Sequence, residues 1–180
     1  MRIKTFICIF IFLALGSCIV KKKTTYSKTR TVTVESKDGD TITIASSKKI
    51  RPNKKADQIV AKALTYSGTR YKFGGTTKKG MDCSGLVYVA LKANDIPFPR
   101  VSYQMANEGK RIKLKEVEKG DLLFFKTTKN GKRINHVGLV VNVEGDDIRF
   151  IHSTSSRGVI VSSLREGFWN HSFIKATRIL

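Results

Sequence analysis

The stretch MDCSGLVYVALKAN at residues 81–94 predicts a helix that carries a cysteine near its start. Its apolar residues recur at the spacing of one helical face, and Asp82 stands where an N-cap belongs. The prolines in Ile96-Pro97-Phe98-Pro99 prevent the helix from continuing. Because the N-terminus of a helix favours an anion, Cys83 is expected to have a lowered pKa and to react as a thiolate.

The regions around this helix predict an α+β domain over residues 56–180. Further helices are predicted at residues 56–67 and 102–107. Beyond residue 109 the apolar pattern changes to alternation or to continuous short runs, which is typical of strands. These strands are predicted at residues 122–126, 136–143, 148–153, 159–162 and 173–179. Helices followed by consecutive strands indicate N-terminal helices packed on a C-terminal antiparallel β-sheet.

Three histidines are available as a base for the thiol of Cys83. His136 begins one predicted strand and His152 ends the next, whereas His171 lies in a polar stretch and is expected at the surface. Acyl transfer by a thiolate needs a general base and a third group that orients the base. An odd-numbered loop or a bulge in the hairpin would place His136 and His152 on one sheet face. A two- or four-residue loop alone would place them on opposite faces.

The first eighteen residues have the pattern of an exported protein. Arg2 and Lys4 precede an apolar run at residues 6–15, followed by Gly16, Ser17 and Cys18. This pattern predicts a signal peptide at residues 1–17, too short to span a bilayer. The last four residues of the pattern resemble a bacterial lipobox, which implies that Cys18 carries a lipid. An ordinary secretion signal and an uncleaved membrane anchor remain the alternatives.

Residues 18–55 are expected to form a lipid anchor and a basic tether. The chain has a formal net charge of +20, and its positive charge is densest in this segment. The segments at residues 31–34 and 41–44 alternate β-branched residues around a turn, which predicts a hairpin. The lysines next to the anchor could bind anionic headgroups, or the segment could be a solvated spacer. The charge would attract any polyanion, but no nucleic-acid-reading motif is present and export argues against nucleic acid as the partner.

The three cysteines of the chain have separate expected fates. Cys8 is removed with the signal peptide and Cys18 is acylated, so Cys83 remains as the free thiol. A disulfide scaffold is excluded because such scaffolds are short and rich in cysteine. The cysteine spacing does not fit a zinc cluster either, and no metal or cofactor is expected.

Several motifs, in their order along the chain, resemble those of the NlpC-type cell-wall cysteine peptidases. The motifs are Tyr71-Lys72-Phe73-Gly74-Gly75, Met81-Asp82-Cys83-Ser84-Gly85-Leu86-Val87, Gly120-Asp121-Leu122-Leu123-Phe124-Phe125, His136-Val137-Gly138 and Phe150-Ile151-His152. The resemblance covers roughly residues 56–180. It implies a papain-like fold in which a helix bears the cysteine and a sheet bears two histidines.

The resemblance also implies roles for individual residues. Cys83 matches the nucleophile, His136 the general base and acid, and His152 the polar group that orients His136. Tyr71 matches a tyrosine near the nucleophile that assists the oxyanion site or the substrate. Phe73 departs from the tryptophan that is frequent at its position in the family. This difference leaves open the shape of the wall that this residue would form in the site.

Asp82 and Ser84 match positions that touch the amino group of the substrate in some members of the family. A helix cap and a first-turn residue explain these two side chains equally well.

The expected function is that of a lipid-anchored murein endopeptidase that cleaves amide bonds in wall stem peptides or crosslinks through a cysteine thioester. The alternatives are an acyltransferase or amidase on the same fold and a catalytically silent module that binds the wall. The expected partners are peptidoglycan stem peptides and, through the anchor, a membrane. The protein is expected to be a monomer at the outer membrane, facing the periplasm.

Overall fold

The computed structural model describes residues 53–129 and 133–180. The signal peptide, the Cys18 anchor and the hairpin of the tether lie outside the described residues. They therefore stay predictions.

The helices are short and begin where capping side chains or turns allow. In the described part of the chain they are α1 (Lys54–Leu64), α2 (Cys83–Lys92), α3 (Ser102–Met105) and α4 (Gly167–Ser172). The α1 helix begins two residues before the predicted start at Ala56, because the side chain of Asn53 caps it by accepting hydrogen bonds from the backbone N–H groups of Lys55 and Ala56. No helix in this part of the chain is long and apolar enough to cross a membrane.

A six-stranded antiparallel sheet forms the second layer of the domain. Its strands are β3 (Lys110–Ile112), β4 (Leu122–Phe125), β5 (His136–Glu144), β6 (Asp147–Thr154), β7 (Gly158–Ser163) and β8 (Phe173–Arg178), numbered after the short hairpin of β1 (Thr76–Thr77) and β2 (Gly80–Met81). The spatial order is β3-β8-β4-β5-β6-β7. The strands β4 to β8 confirm the five predicted strands, so the predicted α+β fold is confirmed. Sequence patterns missed β1, β2, β3 and α4.

The β5–β6 hairpin decides whether the two histidines meet. Its turn has two residues, Gly145 and Asp146, and the φ of 57° at Gly145 suits the first central position of a type II′ turn. This even-numbered loop alone would place the two histidines on opposite faces of the sheet. A bulge at Val141 shifts the register by one residue. His136 and His152 consequently lie on the same face of the sheet, as the catalytic interpretation requires.

Both faces of the sheet are buried. The helices α1 and α2 cover one face and contribute to a core whose members include Ile59, Met81, Leu86, Leu91, Phe124 and Leu139. The other face carries a second cluster that includes Phe125, Phe150 and Trp169, the last of which comes from α4. The β4 strand contributes to both clusters in alternation, which explains its uninterrupted apolar run.

Candidate active site

Cys83 is the first residue of α2, and its position is fixed by close backbone packing at the start of that helix. The carboxylate of Asp82 caps the helix by accepting a 2.6 Å hydrogen bond from the backbone N–H of Gly85. A Cβ atom at position 85 would lie 2.1 Å from the carbonyl oxygen of Gly75. Only glycine therefore allows the loop before the helix to approach this closely.

Hydrogen bonds around Met81 fix the start of α2 against the sheet. The backbone N–H of Met81 donates to the carbonyl of Arg70, and the Met81 carbonyl accepts from the N–H of Lys72. The buried hydroxyl of Ser153, on β6 next to His152, donates to the same carbonyl over 2.8 Å. This bond connects the strand that carries His152 to the segment that carries Cys83.

His136 and His152 form a buried hydrogen-bonded pair. The Nε2 atom of His136 lies 3.0 Å from Nδ1 of His152, and the two residues are 8% and 0% exposed. Since the Nε2 atom of His136 is engaged, its Nδ1 atom is the ring nitrogen left to act on a second partner. The backbone N–H of Val137, the residue after His136, interacts with the sulfur of Cys83. The fold thus brings the three residues predicted to act together into one site.

Both imidazoles are held in the neutral form by their surroundings. Burial lowers the pKa of His136 to about 4. Burial also lowers the pKa of His152 to about 2, with further contributions from His136 and the positive charge of Arg157. A histidine acts as a base only when it is neutral, so His136 is in the form that accepts a proton at neutral pH.

The predicted lowering of the Cys83 pKa is wrong. Burial raises the pKa of this thiol and the negative charge of Asp82 raises it further, while backbone N–H groups of Val137, Ser84 and Cys83 itself act in the opposite direction. Desolvation of the thiolate is the largest effect and outweighs the helix N-terminus. Cys83 and His136 therefore rest as a neutral thiol and a neutral imidazole.

A cavity of about 520 Å³ opens in front of Cys83 and His136. Tyr71 lies at its edge with 36% of its surface exposed, and the pKa of its hydroxyl is raised by burial and by the neighbouring Cys83 and Asp82. The other described residues that line the cavity are Thr127, Asn135, Ser153, Thr154, Ser155, Ser156, Arg157, Glu166, Phe168 and Trp169. The size of the cavity and its polar lining suit a peptide better than a small apolar ligand.

Asp82 and Ser84 are placed differently from Tyr71. Both are buried, and neither is among the described residues that line the cavity. The guanidinium of Arg100 donates to both carboxylate oxygens of Asp82, at 3.0 and 2.8 Å, and to the hydroxyl of Ser84 at 2.9 Å. The backbone N–H of Gly74 also donates to Asp82. These contacts support the interpretation of Asp82 as a helix cap that organises the loops beside Cys83.

Trp169 is the main site residue that sequence analysis missed. Its ring stacks on His136 with the ring centres 5.2 Å apart and 24° between the planes, and it stands perpendicular to His152 at 4.4 Å. Trp169 is the single tryptophan of the chain, which is the one signal that could have drawn attention to it. His171, two residues further along α4, is exposed as predicted.

The arrangement brings together a thiol, a neutral imidazole that can accept a proton and a second imidazole bonded to the first, and such a set of groups is capable of acyl transfer. In residues 53–129 and 133–180, no group of three or more His, Cys, Asp or Glu side chains is placed to bind a metal ion.

Comparison with protein families matches residues 68–178 to the NlpC/P60 family. Among individual proteins, the probable endopeptidase NlpC of Escherichia coli is 40% identical over 116 residues, which cover 64% of this chain and 72% of that protein. The murein DD-endopeptidase MepS/murein LD-carboxypeptidase of Escherichia coli is 33% identical over 124 residues, which cover 68% and 62% of the two chains.

The fold is also similar to that of solved structures. An NlpC/P60 family protein from Bacillus cereus superposes with a TM-score of 0.63 at 28% identity. The superposition covers 69% of this chain and 40% of that chain. The shared part is thus less than half of the solved protein.

Proposed function

The chain belongs to the NlpC/P60 family, and from this premise we propose that it is a cysteine peptidase that cleaves amide bonds in the stem peptides of peptidoglycan. The relative named as a murein DD-endopeptidase supports the substrate class, and the relative named as a probable endopeptidase supports the cleavage of peptide bonds. The observation that carries the proposal is the position of Cys83 beside the His136–His152 pair, whose ring nitrogens are 3.0 Å apart, at the edge of a peptide-sized cavity.

The first half-reaction transfers the acyl part of the substrate to Cys83. The Nδ1 atom of His136 takes the thiol proton as the sulfur attacks the amide carbon, and a C–S bond forms. Backbone N–H groups at the start of α2 stabilise the oxyanion, with the hydroxyl of Tyr71 nearby. The intermediate then collapses, the C–N bond breaks, and His136 returns the proton to the leaving amine.

The second half-reaction releases the acyl part to water. A water molecule gives one proton to Nδ1 of His136 and attacks the thioester carbon. The C–S bond breaks, the new carboxylic acid leaves, and the sulfur of Cys83 recovers the proton from His136. His152 holds the imidazole in one orientation through both halves and exchanges no proton with the substrate.

The neutral resting state makes the base indispensable. A thiol whose pKa is raised by burial contributes little thiolate of its own at pH 7. The proton therefore has to move to His136 as the sulfur attacks. General-base catalysis of this kind is worth about a hundredfold to ten-thousandfold in rate.

Digestion of purified peptidoglycan by the full-length protein in mild detergent tests the proposal. The wild type should release smaller muropeptides, identified by mass spectrometry, whereas Cys83→Ala should release none. His171→Ala is the matched control, because His171 is exposed and is not among the described residues that line the cavity. Equal release by wild type and Cys83→Ala would refute the mechanism. Binding of both proteins to peptidoglycan without cleavage would support the silent wall-binding alternative.

We propose further that Cys18 anchors the enzyme by a lipid at the outer membrane, facing the periplasm, and that the protein works there as a monomer. The support is the sequence of residues 1–18, with its basic start, apolar run and lipobox-like end. Mass spectrometry of the mature protein should find Cys18 acylated at the new N-terminus, and Cys18→Ala should leave the membrane fraction. An unmodified Cys18, or a mature chain that still contains Cys8, would exclude the anchor.

A further inference from the structure

The basic loop, residues 70–81, carries a patch of exposed positive charge just before α2. The side chains of Arg70, Lys72, Lys78 and Lys79 are all exposed, and none of them forms an ion pair with another described residue. The loop contains no aspartate or glutamate, so its four cations give it a formal charge of +4. This charge has no counter-charge within the loop.

The backbone of the basic loop is fixed by hydrogen bonds and close packing. Its two short strands pair as an antiparallel hairpin, and the backbone N–H of Lys72 donates to the carbonyl of Met81 over 3.2 Å. A Cβ atom at position 80 would lie 2.4 Å from the Cβ atom of Lys72, so only glycine allows Lys72 to pack this closely. The turn at the tip is closed by a hydrogen bond from the N–H of Lys79 to the hydroxyl of Thr77. A fixed backbone loses little conformational entropy when it binds a partner.

The lysines of the basic loop lie next to the candidate active site but outside its cavity. Tyr71 is at the edge of the cavity, whereas Lys72, Lys78 and Lys79 are not among the described residues that line it. Lys79 precedes Cys83 by four residues, so the chain allows at most about 14 Å between their Cα atoms. A polymer that places one unit against Cys83 can therefore reach the lysines with a neighbouring unit.

The position of the basic loop favours the wall polymer as its anionic partner. Peptidoglycan carries many stem peptides, and each free stem end is a carboxylate that is ionised at neutral pH. An anionic membrane would also attract lysines. A bilayer lying on this loop would, however, cover Tyr71 and obstruct the mouth of the cavity. The outer side of the loop is open, since Phe73 is 88% exposed. A charged surface beside an open cavity is suited to attracting and holding a substrate of opposite charge.

We propose that Lys72, Lys78 and Lys79 form a binding surface for the carboxylates of stem peptides that neighbour the one in the cavity. This surface makes the intact polymer a better substrate than a stem peptide released from it. The lysines exchange no proton and form no bond with the cleaved peptide. The inference rests on the proposed peptidase function for the identity of the polymer, whereas binding of the polymer can be measured without cleavage.

The lysines of β3 and of the turn after it provide a matched control. Lys110, Lys113 and Lys115 are also exposed, but they have a local counter-charge in Glu116. A backbone hydrogen bond from Lys113 lowers the pKa of Glu116, and the positive charges of all three lysines lower it further. Two triple variants with the same change of charge are the loop variant, Lys72→Gln/Lys78→Gln/Lys79→Gln, and the control variant, Lys110→Gln/Lys113→Gln/Lys115→Gln.

Sedimentation of the full-length Cys83→Ala protein with purified peptidoglycan in mild detergent measures binding without cleavage. In this background the loop variant should bind about tenfold more weakly at low salt, because three exposed charge pairs are lost. The difference should disappear at high salt, which screens exposed charges. The control variant should bind like its parent. Equal weakening by both variants would show that only the total charge matters and would overturn the proposal, as would unchanged binding by the loop variant.

Acetylation of lysines in the same Cys83→Ala protein, followed by mass spectrometry, locates the contact. Added peptidoglycan should protect the lysines of the basic loop and leave those of the control set reactive. Protection by phosphatidylglycerol micelles without protection by peptidoglycan would overturn the proposal in favour of a membrane surface.

The kinetic test compares intact peptidoglycan with a soluble stem peptide. For the loop variant, KM should rise about tenfold on the polymer with kcat unchanged, and both constants should keep their wild-type values on the soluble peptide. An equal rise of KM on both substrates would place the lysines in contact with the cleaved peptide and would overturn the separate surface. Binding and protection by a protein that cleaves neither substrate would refute only the proposed peptidase function.

Discussion

Mild acid should destabilise this domain, because two imidazoles are buried in the neutral form. The pKa of His136 is lowered to about 4 and that of His152 to about 2, whereas an unfolded histidine has a pKa of about 6.5. At a pH between the folded and the unfolded pKa values, the two histidines bind protons in the unfolded chain but not in the folded chain. The stability that the neutral pair allows is therefore complete above pH 6.5 and is lost as the pH falls.

The size of the effect follows from the linkage between proton binding and folding. At pH 5, each histidine favours the unfolded state by about 2 kcal/mol relative to neutral pH. The two together remove about 4 kcal/mol, a large part of the 5–15 kcal/mol that stabilises a typical domain. The pKa values of Asp147 and Glu116 are lowered by hydrogen bonds in the folded protein, so these carboxyls affect stability at more acidic pH. A window from pH 7 to pH 5 thus reports mainly on the buried pair.

Urea unfolding of the full-length protein, followed by tryptophan fluorescence, measures this loss. Trp169 is the only tryptophan of the chain and packs against both histidines, so its emission reports on the site. His152→Gln removes one titrating group and should lose about 2 kcal/mol over the same window. His171→Gln, which removes an exposed imidazole and keeps the buried pair, is the control. If His152→Gln and the wild type lost equal stability, the pair would not be buried in the neutral form and the reasoning would fail.

Three further predictions concern the nucleophile, the cavity and the sheet. Because burial raises the pKa of Cys83, iodoacetamide should alkylate it more slowly at pH 7 than it alkylates free cysteine, and fast alkylation would show that the thiolate is stabilised after all. Arg157 lines the cavity and has no ion-pair partner in the described part of the chain. Arg157→Gln should therefore raise KM about tenfold for stem peptides with a free carboxylate. The same substitution should leave KM unchanged for the amidated forms of these peptides. Asp121 accepts two hydrogen bonds from Arg178, at 2.9 and 2.8 Å, so Asp121→Ala should cost about 2 kcal/mol in urea unfolding, and an unchanged midpoint would exclude a stabilising role for this pair.

Local patterns in the sequence were sufficient for the elements that matter most to the site. Asp82 caps α2 as predicted, and the strands that carry His136 and His152 have the predicted order. The hairpin shows where local reasoning stops. The sequence defined the condition under which the histidines meet, but the two-residue turn and the bulge at Val141 depend on packing across the sheet. The alternation of apolar and polar residues along a strand does not reveal where an extra, unpaired residue such as Val141 is inserted.

The missed features are short or distant in sequence. The strands β1 and β2 have two residues each, too few to show a period. Trp169 lies on a six-residue helix near the end of the chain, and nothing in its neighbourhood indicates that it packs on the histidines. The predicted lowering of the Cys83 pKa is wrong for a related reason. The helix N-terminus is visible in the sequence, whereas the burial that outweighs it comes from the tertiary fold.

The aromatic surroundings also give a physical reason for a histidine as the orienting group. His152 is fully buried beside Trp169 and Phe150, and its outer nitrogen has no polar partner in the described residues. A carboxylate at this position would bring an unsolvated charge with oxygens that nothing satisfies, and it would protonate or destabilise the fold. A neutral imidazole can share one hydrogen bond with His136 and leave its other nitrogen without a partner at a smaller cost. The apolar face that seals the site from water is therefore compatible with a neutral orienting group, and a neutral group keeps the pKa of His136 low enough for a base at neutral pH.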